Sequence, residues 1–394
     1  MLYSLLRPLV DFAVRCHYGS LTVNGLDNLP KKGGYIIAPC HQNAMMDPIL
    51  MLQLTKRGIW FLCRGDIFAN PYARKALTFL KIMPVYRIRD GRKALSQDSI
   101  IFDRSRQLLL SGSPLCLMPE GRHTDRHQLL PLGKGLSRIA IATQRDLGKD
   151  IPLYIVPVGL DYDYYERTYS NVIINVGAPL DTREFMPHDM SDDDCPKSLV
   201  AIRESLSEAM KRQMYHVPSL LYYAEQHAWC MSHIEQERER MCLPDSPWGR
   251  FQARKSLAEK LQPDDLTDGM RAAVEQYDAT ERSNYRWLLI VVVVLGLVAG
   301  GVLRSGVRNV LLFLIVSYPI PWIPTHRWVR KKIADPQFRS SINFGLRFGI
   351  SLIYVLLFSV VMFVVCGWQW GIAAIVSSLL QARLVGPVMQ IIRR

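Results

Sequence analysis

A histidine and an aspartate stand six positions apart where an apolar run of the sequence ends. His41 follows the run that ends at Ala38, and Asp47 lies six residues further on. Histidine is suited to taking a proton from a hydroxyl group near neutral pH. A carboxylate on its other ring nitrogen would fix the tautomer and stabilise the imidazolium. A structural histidine beside a helix-capping aspartate would give the same pattern, so this pair alone does not define a site.

Three further apolar runs are also followed by polar or glycyl residues. The run Leu115–Met118 leads into Glu120, Gly121 and Arg122. Glycine lets a ligand approach the backbone closely, and arginine is suited to phosphate oxygens. Arg87 and Arg89 follow the run Ile82–Tyr86, and Gly159 and Asp161 follow the run Ile151–Val158. Four such segments fit a site assembled along one edge of a sheet.

The elements that must position these residues alternate between strand-sized and helix-sized segments. The predicted strands are Ser20–Val23, Gly34–Ala38, Gly58–Cys63, Ile82–Tyr86, Leu115–Met118, Ile151–Val158 and Val172–Val176. The predicted helices are Asp47–Leu54, Pro71–Leu80, Ser96–Leu110, Leu136–Arg145 and Pro196–Tyr215. This alternation predicts an α/β domain with a largely buried sheet.

The four segments, in this order and spacing, resemble the lysophospholipid/glycerol-phosphate acyltransferase superfamily over roughly residues 1–215. Members of that superfamily have a His-x4-Asp block, a second block ending in arginine, a Phe-Pro-Glu-Gly-Thr-Arg-Ser block and an apolar-Val-Pro block. The resemblance implies a mixed α/β sheet flanked by helices. It also implies acyl transfer from an acyl-thioester to a hydroxyl of a glycerol-phosphate lipid precursor.

The resemblance also implies roles for individual residues. His41 would be the general base for the acceptor hydroxyl, and Asp47 would orient it. Arg87, Glu120 and Gly121 match positions that bind the phosphate or glycerol of the acceptor. The donor would be acyl-CoA or acyl carrier protein, acting as a co-substrate, and neither a metal nor another cofactor is required.

Two departures from the superfamily pattern affect these roles. The first block reads His-x5-Asp, so a local bulge must restore the contact between His41 and Asp47. Some glycerol-phosphate acyltransferases look similar in this longer spacing. In the third block His123 stands where the superfamily has arginine, and Arg122 is then a candidate for the phosphate contact. Lys134, in a glycine-rich stretch, is a weaker candidate for an anion contact.

Charge and cysteine content exclude several other classes of protein. The formal net charge is +13, but residues 286–394 hold twelve Lys and Arg against one acid, so +11 of it lies there. Because the excess charge belongs to the most apolar part of the chain, a nucleic-acid binder is excluded. The 8 cysteines show no CxxC pair, which predicts reduced thiols without a disulfide framework or structural zinc.

The chain divides, on sequence, into four parts. Residues 1–18 form an amphipathic helix, 19–215 the catalytic domain, 216–285 a helical extension solvated on one face, and 286–394 a membrane domain. His227 and His233 in the extension are expected to be exposed. The membrane domain has four apolar runs arranged as two hairpins: Trp287–Leu303, Asn309–Ile323, Gly349–Cys366 and Trp370–Leu380. A basic loop, 324–347, separates the two hairpins and is expected on the cytoplasmic side.

The sequence thus predicts an integral membrane enzyme of phospholipid biosynthesis whose catalytic domain faces the cytoplasm. Its expected partners are the phospholipid membrane, acyl-CoA or acyl carrier protein, and a glycerol-phosphate acceptor, either lysophosphatidic acid or glycerol 3-phosphate. Three alternatives stay open: a different lysolipid acceptor, an amino-acid lipid acceptor, and an inactive membrane scaffold of the same fold.

Overall fold

The computed structural model describes residues 2–85, 92–165, 169–186, 196–281, 328–329, 331–333 and 336–393. Arg87 and the apolar runs Trp287–Leu303 and Asn309–Ile323 lie outside the described residues, so their predicted roles are not tested by it.

A mixed sheet forms the centre of the fold, as predicted, and it has eight strands where the sequence predicted seven. Its strands are β1 Ser20–Asn24, β2 Tyr35–Pro39, β3 Trp60–Arg64, β4 Ile82–Val85, β5 Leu115–Cys116, β6 Tyr154–Tyr162, β7 Asn171–Val176 and β8 Leu180–Asp181. The order across the sheet is β1-β7-β6-β2-β5-β3-β4, and β8 pairs with β6 in the antiparallel direction. The pairs β6–β2, β2–β5, β5–β3 and β3–β4 are parallel.

The central strand β2 is buried along its whole length. Ile36 pairs with Leu115 of β5 on one side and with Ile155 of β6 on the other. These positions are apolar because helices cover both faces of a parallel sheet. Parallel strands end at the same edge, so the residues that follow Pro39 and Cys116 are brought together there.

The helices that accompany these strands are close to the predicted segments. They are α1 Leu2–His17, α2 Met46–Met51, α3 Pro71–Phe79, α4 Arg92–Leu110, α5 Gly135–Leu147 and α6 Pro196–Lys211. The most consequential boundary is that of α2, since it begins one residue before Asp47 and so fixes that carboxylate in its first turn.

The predicted helical extension is present and contains α7 Tyr223–Ser232, α8 Ile234–Arg240, α9 Pro247–Glu259 and α10 Asp268–Glu281. Its side chains build a hydrophobic cluster with β7, in which Ile173 contacts a group of buried residues. That group is Tyr215, Val217, Cys230, Phe251, Leu257 and Ala258. The extension therefore packs onto the sheet through this cluster.

The described chain divides into two compact units. Unit 1 comprises Met1–Leu9, Thr22–Asp161 and Ile173–Leu266, and unit 2 comprises Val10–Leu21, Tyr162–Val172 and Thr267–Arg394. The boundary predicted at residue 215 does not separate compact units, because the cluster around Phe251 continues the sheet's core through residue 258.

Unit 2 contains two long helices, α11 Pro336–Cys366 and α12 Trp368–Arg393, joined at Gly367, whose φ is 98°. They correspond to the second predicted hairpin. Of the described residues, one segment, Phe338–Val365, is long and apolar enough to cross a bilayer. The prediction of a loop over 324–347 is wrong from residue 336 onward. Helix α11 begins at Pro336, so the basic residues Arg339 and Arg347 belong to the helix and not to a loop.

Candidate active site

His41 and Asp47 form a hydrogen-bonded pair at the carboxyl edge of the sheet. Nδ1 of His41 lies 2.7 Å from Oδ2 of Asp47. Asp47 is fully buried, whereas 18% of the His41 side chain is exposed. Since an ionised carboxylate only accepts hydrogen bonds, Nδ1 carries the proton and Nε2 keeps its lone pair. The pair therefore has the geometry of a general base with an orienting carboxylate.

The turn between the two residues absorbs the extra residue of the His-x5-Asp spacing. Oδ2 of Asp47 also accepts hydrogen bonds from the backbone N–H groups of Gln42 and Asn43, each at 2.8 Å. Ala44 adopts a φ of 38°, in the left-handed region that non-glycine residues rarely occupy. The bulge required by the sequence is thus this turn, and the His41–Asp47 contact is restored.

Glu120 connects the third sequence block to His41. Its Oε1 accepts from the backbone N–H of His41, and its Oε2 accepts from that of Leu130, both at 2.7 Å. The side chain is 7% exposed. Burial raises the pKa of the Glu120 carboxyl to about 7, against the lowering effect of these two backbone bonds. Both oxygens of Glu120 accept hydrogen bonds from backbone N–H groups, so this carboxyl holds the backbone of the site in position, and we call it the brace. Its predicted contact with the acceptor stays a prediction.

Residues 117–134, which we call the site loop, run from β5 to α5. Gly121 turns the loop with a φ of 65°, a conformation that favours glycine. Thr124 donates its backbone N–H to the carbonyl of His41 at 3.1 Å. Together with the Glu120 bond, this fixes His41 on both its N–H and its C=O.

The remaining predicted site residues lie on the exposed part of this loop. Arg122 and Lys134 are exposed, and the ring of His123 packs edge-on against that of His41 with centroids 5.4 Å apart. Arg122 is thus available to an incoming anion, and His123 adjoins the imidazole of His41. The roles of Arg122, Lys134 and Gly121 in acceptor binding stay predictions.

Two buried features beside the site were missed on sequence. Asp161, at the end of β6, forms a salt bridge with Arg254 of α9, and both side chains are almost fully buried. His227 is not an exposed helix residue, because its ring stacks on those of His127 and Tyr223. Neither feature has a distinct signal in the sequence. Gly159, two residues before Asp161, is required for a different contact, since a Cβ there would lie 2.1 Å from the carbonyl oxygen of residue 213.

Comparison with known proteins identifies a family that the segment containing this site matches. Residues 20–161 match the model of the acyltransferase family. That span contains His41, Asp47 and the Glu120 brace. Residues 20–161 form an acyltransferase domain.

Two relatives accompany this match. The chain is 31% identical over 80 residues to an uncharacterized acyltransferase of Schizosaccharomyces pombe, an alignment covering 20% of this chain and 12% of that protein. The chain also resembles the crystal structure of the 1-acyl-sn-glycerophosphate acyltransferase PlsC from Thermotoga maritima. That similarity has a TM-score of 0.36 at 18% identity, over 52% of this chain and 78% of the other. Similarity of this extent does not specify a substrate for the acyltransferase domain.

Proposed function

We propose that the protein is a membrane-bound O-acyltransferase that moves a fatty acyl group from acyl-CoA or acyl carrier protein to a hydroxyl of a glycerol-phosphate acceptor. The observation that carries this proposal is the 2.7 Å contact between His41 and the buried Asp47 inside a domain of the acyltransferase family. This contact leaves Nε2 of His41 as the proton acceptor, and 18% of that side chain is exposed.

In the proposed reaction, Nε2 of His41 takes the proton of the acceptor hydroxyl while that oxygen attacks the thioester carbonyl. The tetrahedral intermediate collapses as its C–S bond breaks, and the thiolate takes the proton back from the imidazolium. Asp47 stabilises the imidazolium throughout because its carboxylate stays bonded to Nδ1. The new ester and the free thiol are the products, so His41 returns to its starting state.

The acceptor's phosphate would be bound by arginines that follow the strands. Arg122 is exposed on the site loop, and Arg87 follows β4 in the sequence. A guanidinium makes paired charged hydrogen bonds to phosphate that a neutral side chain cannot make. This contact favours lysophosphatidic acid or glycerol 3-phosphate over an uncharged acceptor.

The apolar helix Phe338–Val365 supports attachment to a membrane, where a lipid acceptor is found. The basic residues around it favour the cytoplasmic side, and acyl-thioesters are present there. We therefore propose that the acyltransferase domain faces the cytoplasm.

Product identification tests this function directly. The full chain in membranes is supplied with a labelled acyl-thioester and a panel containing glycerol 3-phosphate, lysophosphatidic acid and a lysolipid without a phosphomonoester. We expect labelled product with a phosphomonoester acceptor in wild type and none in His41→Ala. Labelled product with the third acceptor alone would assign a different acceptor class, and no thioester consumption with any acceptor would indicate an inactive scaffold.

A further inference from the structure

Part of the site loop is bonded to the extension rather than to the sheet. The backbone N–H of His127 donates to Oη of Tyr223 at 2.9 Å, and its carbonyl accepts from the N–H of Val217 at 2.8 Å. Two residues further on, the N–H of Leu129 donates to Nδ1 of His216 at 3.1 Å. Successive loop residues are thus bound to the segment that leads into α7.

A buried glutamine strengthens this contact and connects it to the residues that follow α9. Nε2 of Gln128 donates to the carbonyls of Val217 at 3.2 Å and Ser219 at 3.0 Å. The N–H of Ser219 in turn donates to Oε1 of Gln226, whose Nε2 donates to the carbonyl of Gln262 at 2.8 Å. Buried amides with all of these partners fix a single arrangement of the loop against the extension.

Rings and a buried ion pair complete the contact. His127 stacks on His227 with centroids 5.3 Å apart, and Tyr223 also stacks on His227, with centroids 5.5 Å apart. Nδ1 of His127 lies 3.8 Å from the carboxylate of Asp161, which is paired with Arg254. Asp161 therefore adjoins both the guanidinium of Arg254 on α9 and the imidazole of His127 on the loop.

These polar contacts are more than is needed to attach the extension. The hydrophobic cluster around Phe251 already packs the extension onto β7. A buried ion pair such as Arg254–Asp161 is weak evidence for stability, because desolvating the two charges offsets their attraction. Buried polar groups that contact one loop at successive residues are better explained by a requirement on the position of that loop.

The bound segment of the loop adjoins the brace of the general base. Leu130 follows directly and donates its N–H to Glu120, which also accepts from the N–H of His41. We propose that residues 216–266 hold His41 in its working position through this path, with Tyr223 and Arg254 as positioning residues. The inference rests on the proposed function, because it concerns the same base, and it makes a segment outside the matched family span part of the catalytic unit.

The sharpest test removes one hydroxyl group. Tyr223→Phe leaves the ring stack in place but takes away the acceptor for His127 N–H. Tyr222→Phe is the matched control, since it makes the same change on the adjacent, half-buried residue. With the full chain in vesicles, we expect Tyr223→Phe to lower kcat about 3- to 10-fold, the scale of one lost hydrogen bond, with both KM values changed less than twofold. Tyr222→Phe should match wild type.

Amide hydrogen exchange tests the same set of contacts, from the extension through the site loop to His41, without requiring catalytic turnover. In Tyr223→Phe we expect faster exchange in peptides covering 36–45 and 117–134, while peptides from β6 keep their wild-type rates. A purely structural role would instead raise exchange across the sheet in proportion to lost stability. Equal kcat and equal exchange in the two tyrosine variants would overturn the inference. If the wild type transfers no acyl group, the proposed function fails while the exchange result still decides this inference.

Arg254 is tested by a pair of variants. Arg254→Met leaves Asp161 buried without its guanidinium and should give the same signature as Tyr223→Phe with a larger fall in kcat. Arg254→Lys keeps the positive charge and should recover part of that loss. Where Arg254→Met does not fold, the tyrosine comparison decides alone. A folded Arg254→Met with wild-type kcat would contradict the role given to Arg254.

Discussion

At the scale of single residues, the site depends on carboxylates that hold backbone as well as side chains. Asp47 accepts one bond from the imidazole of His41 and two from the adjacent backbone. Glu120 accepts only backbone N–H groups among its described bonds, from residues 41 and 130. Replacing either carboxylate therefore disturbs the position of His41, but in different ways.

Asp47→Asn should reduce turnover by roughly 10²–10⁴-fold, since it removes the charge that stabilises the imidazolium. The asparagine carbonyl can still accept the two backbone bonds, so the variant should remain folded. Steady-state thioester consumption is the measurement. Asp66→Asn, which changes an exposed carboxylate paired with Arg64, is the control and should retain wild-type turnover. An active Asp47→Asn would remove the carboxylate from the mechanism.

Glu120→Gln should lower the free energy of unfolding by about 1–3 kcal/mol, because the amide NH₂ would face a buried backbone N–H. Glu184→Gln changes an exposed carboxylate in the same unit and should have no such effect. Chemical denaturation of both variants in the same detergent gives the comparison. Equal stabilities would show that the two backbone bonds to Glu120 contribute little.

Sequence could locate His41 and Asp47 because the pair is local, with five residues between its members and a single turn to connect them. The contacts that hold this pair in position could not be predicted from the sequence. Glu120 meets the backbone of a residue 79 positions away, and Asp161 meets Arg254 93 positions away. An alternation of apolar runs predicts which residues reach a sheet edge, but it does not predict which of them bond to one another there.

At the scale of elements, the strands and helices of the sheet could be predicted because their apolar runs are long and separated by turns. The packing of the helical extension was harder to predict from the sequence. Its charged residues suggested a solvated face, as in Glu235 and Arg238, which are indeed paired near the surface. The same segment also buries Gln226 and Arg254, and a polar residue that is buried with a partner has no distinct signal in one sequence.

The buried histidines of this contact make stability depend on pH. Burial lowers the pKa of His216 and His227 to about 4 and that of His127 well below its usual range, with Arg254 adding to the effect for the last two. Between about pH 4 and 6.5 the unfolded chain binds these protons and the folded chain does not, so stability rises with pH. The raised pKa of Glu120, about 7, has the opposite sign from about pH 4.5 to 7.

The three histidines make the slope of stability against pH positive, and the single carboxyl of Glu120 makes a smaller negative contribution. We therefore expect the free energy of unfolding to increase from pH 5 to 6.5. Each proton contributes up to about 1.4 kcal/mol per pH unit. His227→Gln should reduce the slope of the free energy of unfolding against pH by the contribution of one proton. Thermal unfolding across this pH range is the measurement, and an unchanged slope in His227→Gln would place that histidine outside the titration.

At the scale of the whole molecule, the proposed membrane attachment rests on the C-terminal helices. In unit 2, α11 is 31 residues long and α12 follows it after Gly367. At about 1.5 Å per residue, α11 exceeds the roughly 30 Å of a bilayer core. In the proposed topology α11 would therefore place its two ends on opposite sides of the bilayer.

Cysteine labelling from outside intact cells tests this topology. The native Cys366 marks the far end of α11, and Asp335→Cys marks its start; other cysteines are replaced in the same chain. We expect an impermeant maleimide to react at 366 without permeabilisation and at 335 only after it, because the basic residues near 335 favour the cytoplasm. Reaction at 335 in intact cells would reverse the orientation.

The most direct test of the central claim is the rate of acyl transfer by His41→Ala. The measurement is thiol release from the labelled acyl-thioester with the preferred acceptor, using full-length wild type and variant inserted in vesicles at equal amounts. Loss of the general base should reduce kcat by about 10²–10⁴-fold while the protein stays folded and inserted. Retention of more than about half of the wild-type turnover by His41→Ala would contradict the account.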